Sequence, residues 1–88
     1  MIRQNLTVRC KYGLHLLMAS QIARITTASA SVVQVRCEGC PRINACSALR
    51  IMLLEATEGT PIEVTVEGSD EATVLKAIEH VFEEGGGI

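Results

Sequence analysis

The segment Ile62-Glu63-Val64-Thr65-Val66-Glu67 alternates apolar and polar residues without a break. A period of two puts Ile62, Val64 and Val66 on one side of a strand and leaves the other side wet. A chain built on such strands must cover one sheet face and expose the other. The same alternation runs through residues 2–9, where Ile2, Leu6 and Val8 oppose Arg3, Asn5, Thr7 and Arg9. It returns in residues 32–37, where Val33 and Val35 share a face. Residues 42–45 read as a short further strand, with Pro41 marking an irregular start or an edge.

The cover comes from helical stripes. In residues 16–27, Met18, Ala19, Ile22, Ala23 and Ile25 form an apolar stripe, and Ser20, Gln21 and Arg24 mark the wet side. Ser47 is placed to cap a short helix reaching Leu54, because its hydroxyl can accept a first-turn N–H. Gly68-Ser69-Asp70 opens a last helix with the stripe Val74, Leu75, Ile78, Val81 and Phe82, and Gly85-Gly86-Gly87 stops it. The order β-α-β-β-α-β-α predicts an α+β open-faced sandwich: a four-stranded, mainly antiparallel sheet with three helices on one face. It fills residues 1–88 as a single domain, with 85–88 expected as a frayed tail.

Composition narrows the function classes. The 88 residues are 48% hydrophobic but include only one Tyr, one Phe and no Trp. An aliphatic core of this size leaves little room for a deep pocket, so a surface site built on backbone groups is expected. The net charge of −2, with both signs dispersed, speaks against nucleic acid as a partner. Residues Met1 to Asn5 lack the apolar run of a signal peptide, and no apolar run is long enough to insert in a bilayer. The expectation is a cytoplasmic monomer without a cofactor.

His15 is the main candidate for chemistry. It immediately precedes the first helical stripe, beside backbone N–H groups that have no partner within the helix. Their partial positive charge favours an anion and disfavours a charged imidazolium. A neutral imidazole has a free lone pair and can act as a nucleophile. A phosphoryl group taken up there would lie where the backbone N–H groups of Leu16 and Leu17 can hold it. An ordinary surface histidine is the plainer alternative on local grounds.

The wider arrangement carries a resemblance. Gly13-Leu14-His15, Ala19, the Ser47–Leu54 helix, Glu58-Gly59-Thr60 and the final amphipathic helix together resemble the HPr family. These are small phosphocarriers of the bacterial phosphoenolpyruvate:sugar phosphotransferase system. The resemblance covers nearly the whole chain and implies a relay protein rather than a turnover enzyme. It implies that His15 takes phosphate from the phosphoenolpyruvate-dependent first enzyme and passes it to a sugar-specific acceptor. It further implies a regulatory serine at Ser47, phosphorylated by a serine kinase, and a partner surface at Ala48, Leu49 and Met52. Leu17 and Ser20 of the first helix complete the expected partner surface.

This chain departs from the family motif Gly-Leu/Ile-His-x-Arg-Pro-Ala, reading Gly13-Leu14-His15-Leu16-Leu17-Met18-Ala19. Leu17 has no donor where the arginine offers paired charge-assisted hydrogen bonds to phosphate. The helix terminus remains, so the expected result is a weakened site. Lys11 or Arg9 are candidates for the missing charge. Met18 in place of proline is milder, since it can fill the core. Tyr12 can shield His15 with its ring or bond to it through its hydroxyl. Leu16 and Leu17 can form an apolar patch beside His15, read either as scattered exposed leucines or as an altered partner surface.

The four cysteines are not implied by the resemblance. Cys37-Glu38-Gly39-Cys40 has the spacing of a zinc knuckle, but only one such pair is present. The pair spans a hairpin instead of opening a helix, which speaks against redox catalysis. Cys46, just before the short helix, is the expected acidified thiol. The main reading is four free cysteines, Cys10 among them, with a metal at Cys37 and Cys40 or a reversible disulfide as alternatives. The competing functional readings are therefore three. They are a phosphocarrier acting through His15, a non-carrier interaction module acting through Ser47 or the Leu16/Leu17 surface, and a thiol or metal protein.

Overall fold

The computed structural model describes residues 1–85. Its elements are β1 (Ile2–Thr7), α1 (Leu16–Ala28), β2 (Ser31–Arg36), β3 (Ile43–Asn44), α2 (Ala48–Met52), β4 (Pro61–Gly68) and α3 (Glu71–Glu84). The order is the one the periodicity predicts. The sheet runs β1-β4-β2-β3, and every neighbouring pair is antiparallel. The alternating segment that anchors the sequence argument is β4, and it lies between β1 and β2.

The three helices cover one face. Val33, Val35, Ile62, Val64 and Val66 from the sheet are buried with Met18, Ala19 and Ile22 of α1, Ile51 of α2, and Val74, Leu75, Ile78, Val81 and Phe82 of α3. Each fully buried aliphatic side chain contributes about 1.5–3 kcal/mol of transfer free energy. Met18 is completely buried, so it does fill the core. On the wet face, Arg36 and Arg42 both approach Oε1 of Glu63, at 3.1 and 3.6 Å.

Several boundaries differ from the sequence expectation for local reasons. β1 ends at Thr7, opposite Pro61, which brings no N–H to the ladder. Val8 instead donates to Thr60 O at 3.0 Å and accepts from Gly59 N at 2.7 Å. β3 keeps only Ile43 and Asn44, because the Asn44 side chain turns the chain by accepting from Cys46 N at 3.0 Å. α2 stops at Met52. The N–H groups of Leu53, Leu54 and Glu55 bond carbonyls three residues back, and Glu55 adopts φ +51.

The two ends of α3 are tied to distant chain. Asp70 does not cap its own helix. Its carboxylate accepts from Ala30 N at 3.0 Å and from the Ser31 hydroxyl, joining α3 to the start of β2. Gly85, expected in the tail, is buried and closes the helix in a left-handed conformation, its N–H bonded to Val81 O. The rest of the expected frayed tail, 86–88, lies outside the described residues. Among the described residues no helix is long and apolar enough to cross a membrane.

Candidate functional site

The segment leading to His15 is held by backbone bonds on both sides. Gly13 N donates to Cys10 O at 2.9 Å, closing a turn over Lys11 and Tyr12. Leu14 N donates to Ala56 O at 2.9 Å, and the Leu14 side chain is buried. Gly13 takes φ +72, and a Cβ there would sit 2.5 Å from Ala56 O. Only glycine lets the chain pass that close to the loop after α2.

His15 occupies the N-cap of α1, with extended backbone. Its Nδ1 accepts from Leu17 N at 3.2 Å, a role usually taken by Ser, Thr, Asp or Asn. Its Nε2 lies 3.1 Å from Gly85 O. A carbonyl oxygen can only accept, so Nε2 carries the ring proton and donates it to Gly85. Nδ1 therefore has the lone pair, and it points at the opening of α1. Among the described residues the N–H groups of Leu16 and Met18 have no acceptor, and no acidic residue lies in the first turn. Nδ1 thus faces a group of donors suited to an anion.

The side chains around the ring are largely apolar. Leu16 and Leu17 are exposed, at 57% and 42%. Tyr12 meets His15 edge-on, with ring centroids 6.5 Å apart and planes at 82°. Lys11 Nζ lies over the Tyr12 ring, 5.1 Å from its centroid. Arg9 instead lines a depression with Glu79, Phe82 and Glu83 of α3. Of the two candidate cations, Lys11 is the one stacked on Tyr12, the ring that meets His15.

Helix α2 packs beside α1. Its Leu49, at 75% exposure, and Leu53, just past its end at 73%, stand out, with Met52 between them. Ala48 and Ser20 are half-buried. Leu53 lies outside the expected partner surface; α2 ends at Met52, short of the expected Leu54. Ser47 caps α2, its hydroxyl accepting from Arg50 N at 3.4 Å. Cys10 is buried, and Cys46 is exposed just before the α2 cap. Cys37 and Cys40 bring their sulfurs to 2.7 Å, and among the described residues no group of three or more His, Cys, Asp or Glu side chains is placed to hold a metal.

A small antiparallel sandwich that presents a histidine lone pair to a helix N-terminus is the architecture of a phosphoryl carrier. Residues 2–84 match the model of the family described as PTS HPr component phosphorylation site. The chain is 34% identical over 83 residues to the phosphocarrier protein HPr of Xylella fastidiosa strain Temecula1, covering 94% of this chain and 92% of that one. It is 31% identical over 78 residues to phosphocarrier protein HPr of Neisseria meningitidis serogroup A, covering 89% and 86%. Among solved structures, HPr-C-His from Thermoanaerobacter tengcongensis superposes with a TM-score of 0.90 at 26% identity, covering 100% of this chain and 98% of that one. The chain belongs to the HPr family, the phosphocarriers of the phosphotransferase system.

Proposed function

We propose that Nδ1 of His15 is the phosphoacceptor, and that the protein relays this group from the phosphoenolpyruvate-dependent first enzyme to an acceptor protein. The observation that carries this reading is the pair of bonds on the ring: Leu17 N–H on Nδ1 and Gly85 O on Nε2. The Nδ1 lone pair forms the N–P bond as the donor's bond to phosphorus breaks. Positive charge then develops on the ring, and the Nε2–H···O bond to Gly85 strengthens with it. Leu17 N–H moves from the lone pair to a phosphoryl oxygen, joined by Leu16 N–H. The ring proton never has to leave.

Leu17 supplies no side-chain donor to the phosphoryl oxygens, so the site is weaker than one with an arginine at that position. Lys11, stacked on the Tyr12 ring that meets His15, provides a partial substitute as a point charge. The exposed Leu16, Leu17, Leu49 and Leu53, with Met52, Ala48 and Ser20, form the surface that meets the partner proteins. Ser47 is the regulatory serine, since a phosphate on its hydroxyl would lie at the start of α2. The protein acts in the cytoplasm, as a single domain and as a monomer.

A second reading, a non-carrier interaction module, draws on the same apolar surface and on the absence of a charged side chain at Leu17. Incubation with phosphoenolpyruvate and the first enzyme of a phosphotransferase system separates the two. The carrier reading predicts acid-labile phosphate on the protein, absent in His15→Ala. No label, or a label that survives that substitution, rejects it.

A further inference from the structure

We propose that Cys37 and Cys40 are a built-in dithiol site that exchanges reversibly with small disulfides of the glutathione class, closing a Cys37–Cys40 disulfide across the turn after β2. Cys40 N donates to Cys37 O at 3.1 Å, and Gly39 between them takes φ +79. That bond defines a four-residue turn, with Gly39 at the position that needs a positive φ. A turn of this kind holds its first and last Cα atoms within about 7 Å, and a disulfide requires roughly 4.4–6.8 Å. The fold therefore sets the required separation without any movement of the strands.

The side chains agree with the backbone. The two sulfurs approach to 2.7 Å. Both residues are half-buried, so the pair is held yet reachable. An open groove lined by Cys37, Glu38, Glu58, Gly59, Thr60 and Pro61 gives a small disulfide access to Cys37. The neighbouring arginines are engaged elsewhere, since Arg36 and Arg42 both turn to Glu63. The contact with Cys37 holds the Cys40 thiol above its ordinary value of 9.0. Cys37 lines the groove by which the small disulfide arrives and Cys40 does not, so Cys37 is the attacking sulfur. Neither a third ligand nor a helix N-terminus accompanies the pair among the described residues, which separates this site from a zinc knuckle and from an oxidoreductase centre.

The exchange balances in two steps. The Cys37 thiolate attacks one sulfur of the small disulfide, an S–S bond forms, and the first small thiolate leaves with the electron pair of the broken bond. Cys40 then gives its proton to solvent and attacks the Cys37 sulfur, expelling the second small thiolate. Two protein thiols are oxidised, and one small disulfide is reduced to two thiols. Cys10 is buried, and Cys46 follows the end of the β2–β3 pairing opposite the Cys37–Cys40 turn, so neither takes part.

The test equilibrates the full chain in glutathione buffers of graded ratio, alkylates it, and reads each cysteine by peptide mass spectrometry. The expected result is joint loss of the Cys37 and Cys40 alkylation sites, reversed by added thiol, with Cys10 and Cys46 still alkylated until more oxidising ratios. Cys37→Ser and Cys40→Ser should each leave one mixed disulfide with glutathione at the remaining partner. In urea the disulfide should form about tenfold less readily, because the turn no longer holds the pair. Three results would each overturn the proposal: Cys37 and Cys40 staying alkylatable at every ratio, a disulfide that joins two chains or involves Cys46, or equal formation in urea and in buffer.

Discussion

Nε2 of His15 donates to the carbonyl oxygen of Gly85 across 3.1 Å, and this bond leaves Nδ1 as the ring's lone-pair nitrogen. The two residues are seventy positions apart, so the end of α3 selects the tautomer used at the start of α1. Gly85 reaches this place by a left-handed cap packed on Cys10, where an added Cβ would come within 3.1 Å of the Cys10 Cβ.

The absence of a side-chain donor at position 17 gives the first prediction. Leu17→Arg should raise the rate of phosphoryl uptake by about tenfold to hundredfold, the worth of one or more hydrogen bonds to a charged group. Initial rates with the first enzyme and phosphoenolpyruvate measure this. An unchanged rate would mean that the site is limited elsewhere.

Lys11 is placed by Tyr12, so the two should act together. Lys11→Gln should slow uptake roughly twofold to fivefold, as befits an exposed charge, and make the rate less sensitive to salt. Tyr12→Leu should have a similar effect, and the double variant should be no slower than either alone. Additive losses would separate the two roles.

Gly13 tests the backbone path into the site. Gly13→Ala places a Cβ 2.5 Å from Ala56 O at φ +72. The combined strain and clash should cost about 2–4 kcal/mol, read from urea denaturation. A loss below about 0.5 kcal/mol, the range of ordinary surface substitutions, would show that the chain can pass Ala56 by another route.

Acid stability depends on Asp70. The Ser31 hydroxyl first, then Ala30 N–H, hold its carboxyl below the ordinary value of 3.8. The Gly68 N–H first, then the chain's N-terminus, hold Glu71 below 4.5. Both groups are depressed in the folded state, so the stability they add is full above those ordinary values. It is lost as pH falls through the lower folded values. Thermal midpoints should therefore be flat from neutrality to about pH 5 and fall below about pH 4. Asp70→Asn should lower the neutral midpoint and flatten the acid limb; an unaltered acid limb would remove Asp70 from the account.

Much of the fold is legible because strands and helices bury one face each. The alternation at Ile62, Val64 and Val66 and the stripe from Val74 to Phe82 are local signals, and each matches the buried set. Boundaries fail where a distant backbone takes over, as when Gly59 and Thr60 capture Val8, or where α2 tightens and brings Leu53 to the surface. His15 at the helix mouth is visible in the motif. Its Nε2 partner is not, because a run of three glycines reads as a tail; the sign available was that one glycine just past a helix often serves as a left-handed cap. Arg9 and Lys11 are equivalent as charges in sequence, and only the turn closed by Gly13 separates them. Asp70 reads only as part of a helix start, and nothing local shows that its carboxylate is taken by Ala30 and Ser31, about forty residues away in the chain.

The most direct test is nitrogen and phosphorus NMR on the 15N-histidine protein before and after incubation with phosphoenolpyruvate and the first enzyme. The account predicts a ring protonated at Nε2 in the resting protein, and phosphorus coupled to Nδ1 of His15 afterwards. Phosphorus on Nε2, on another residue, or on no residue at all would contradict it.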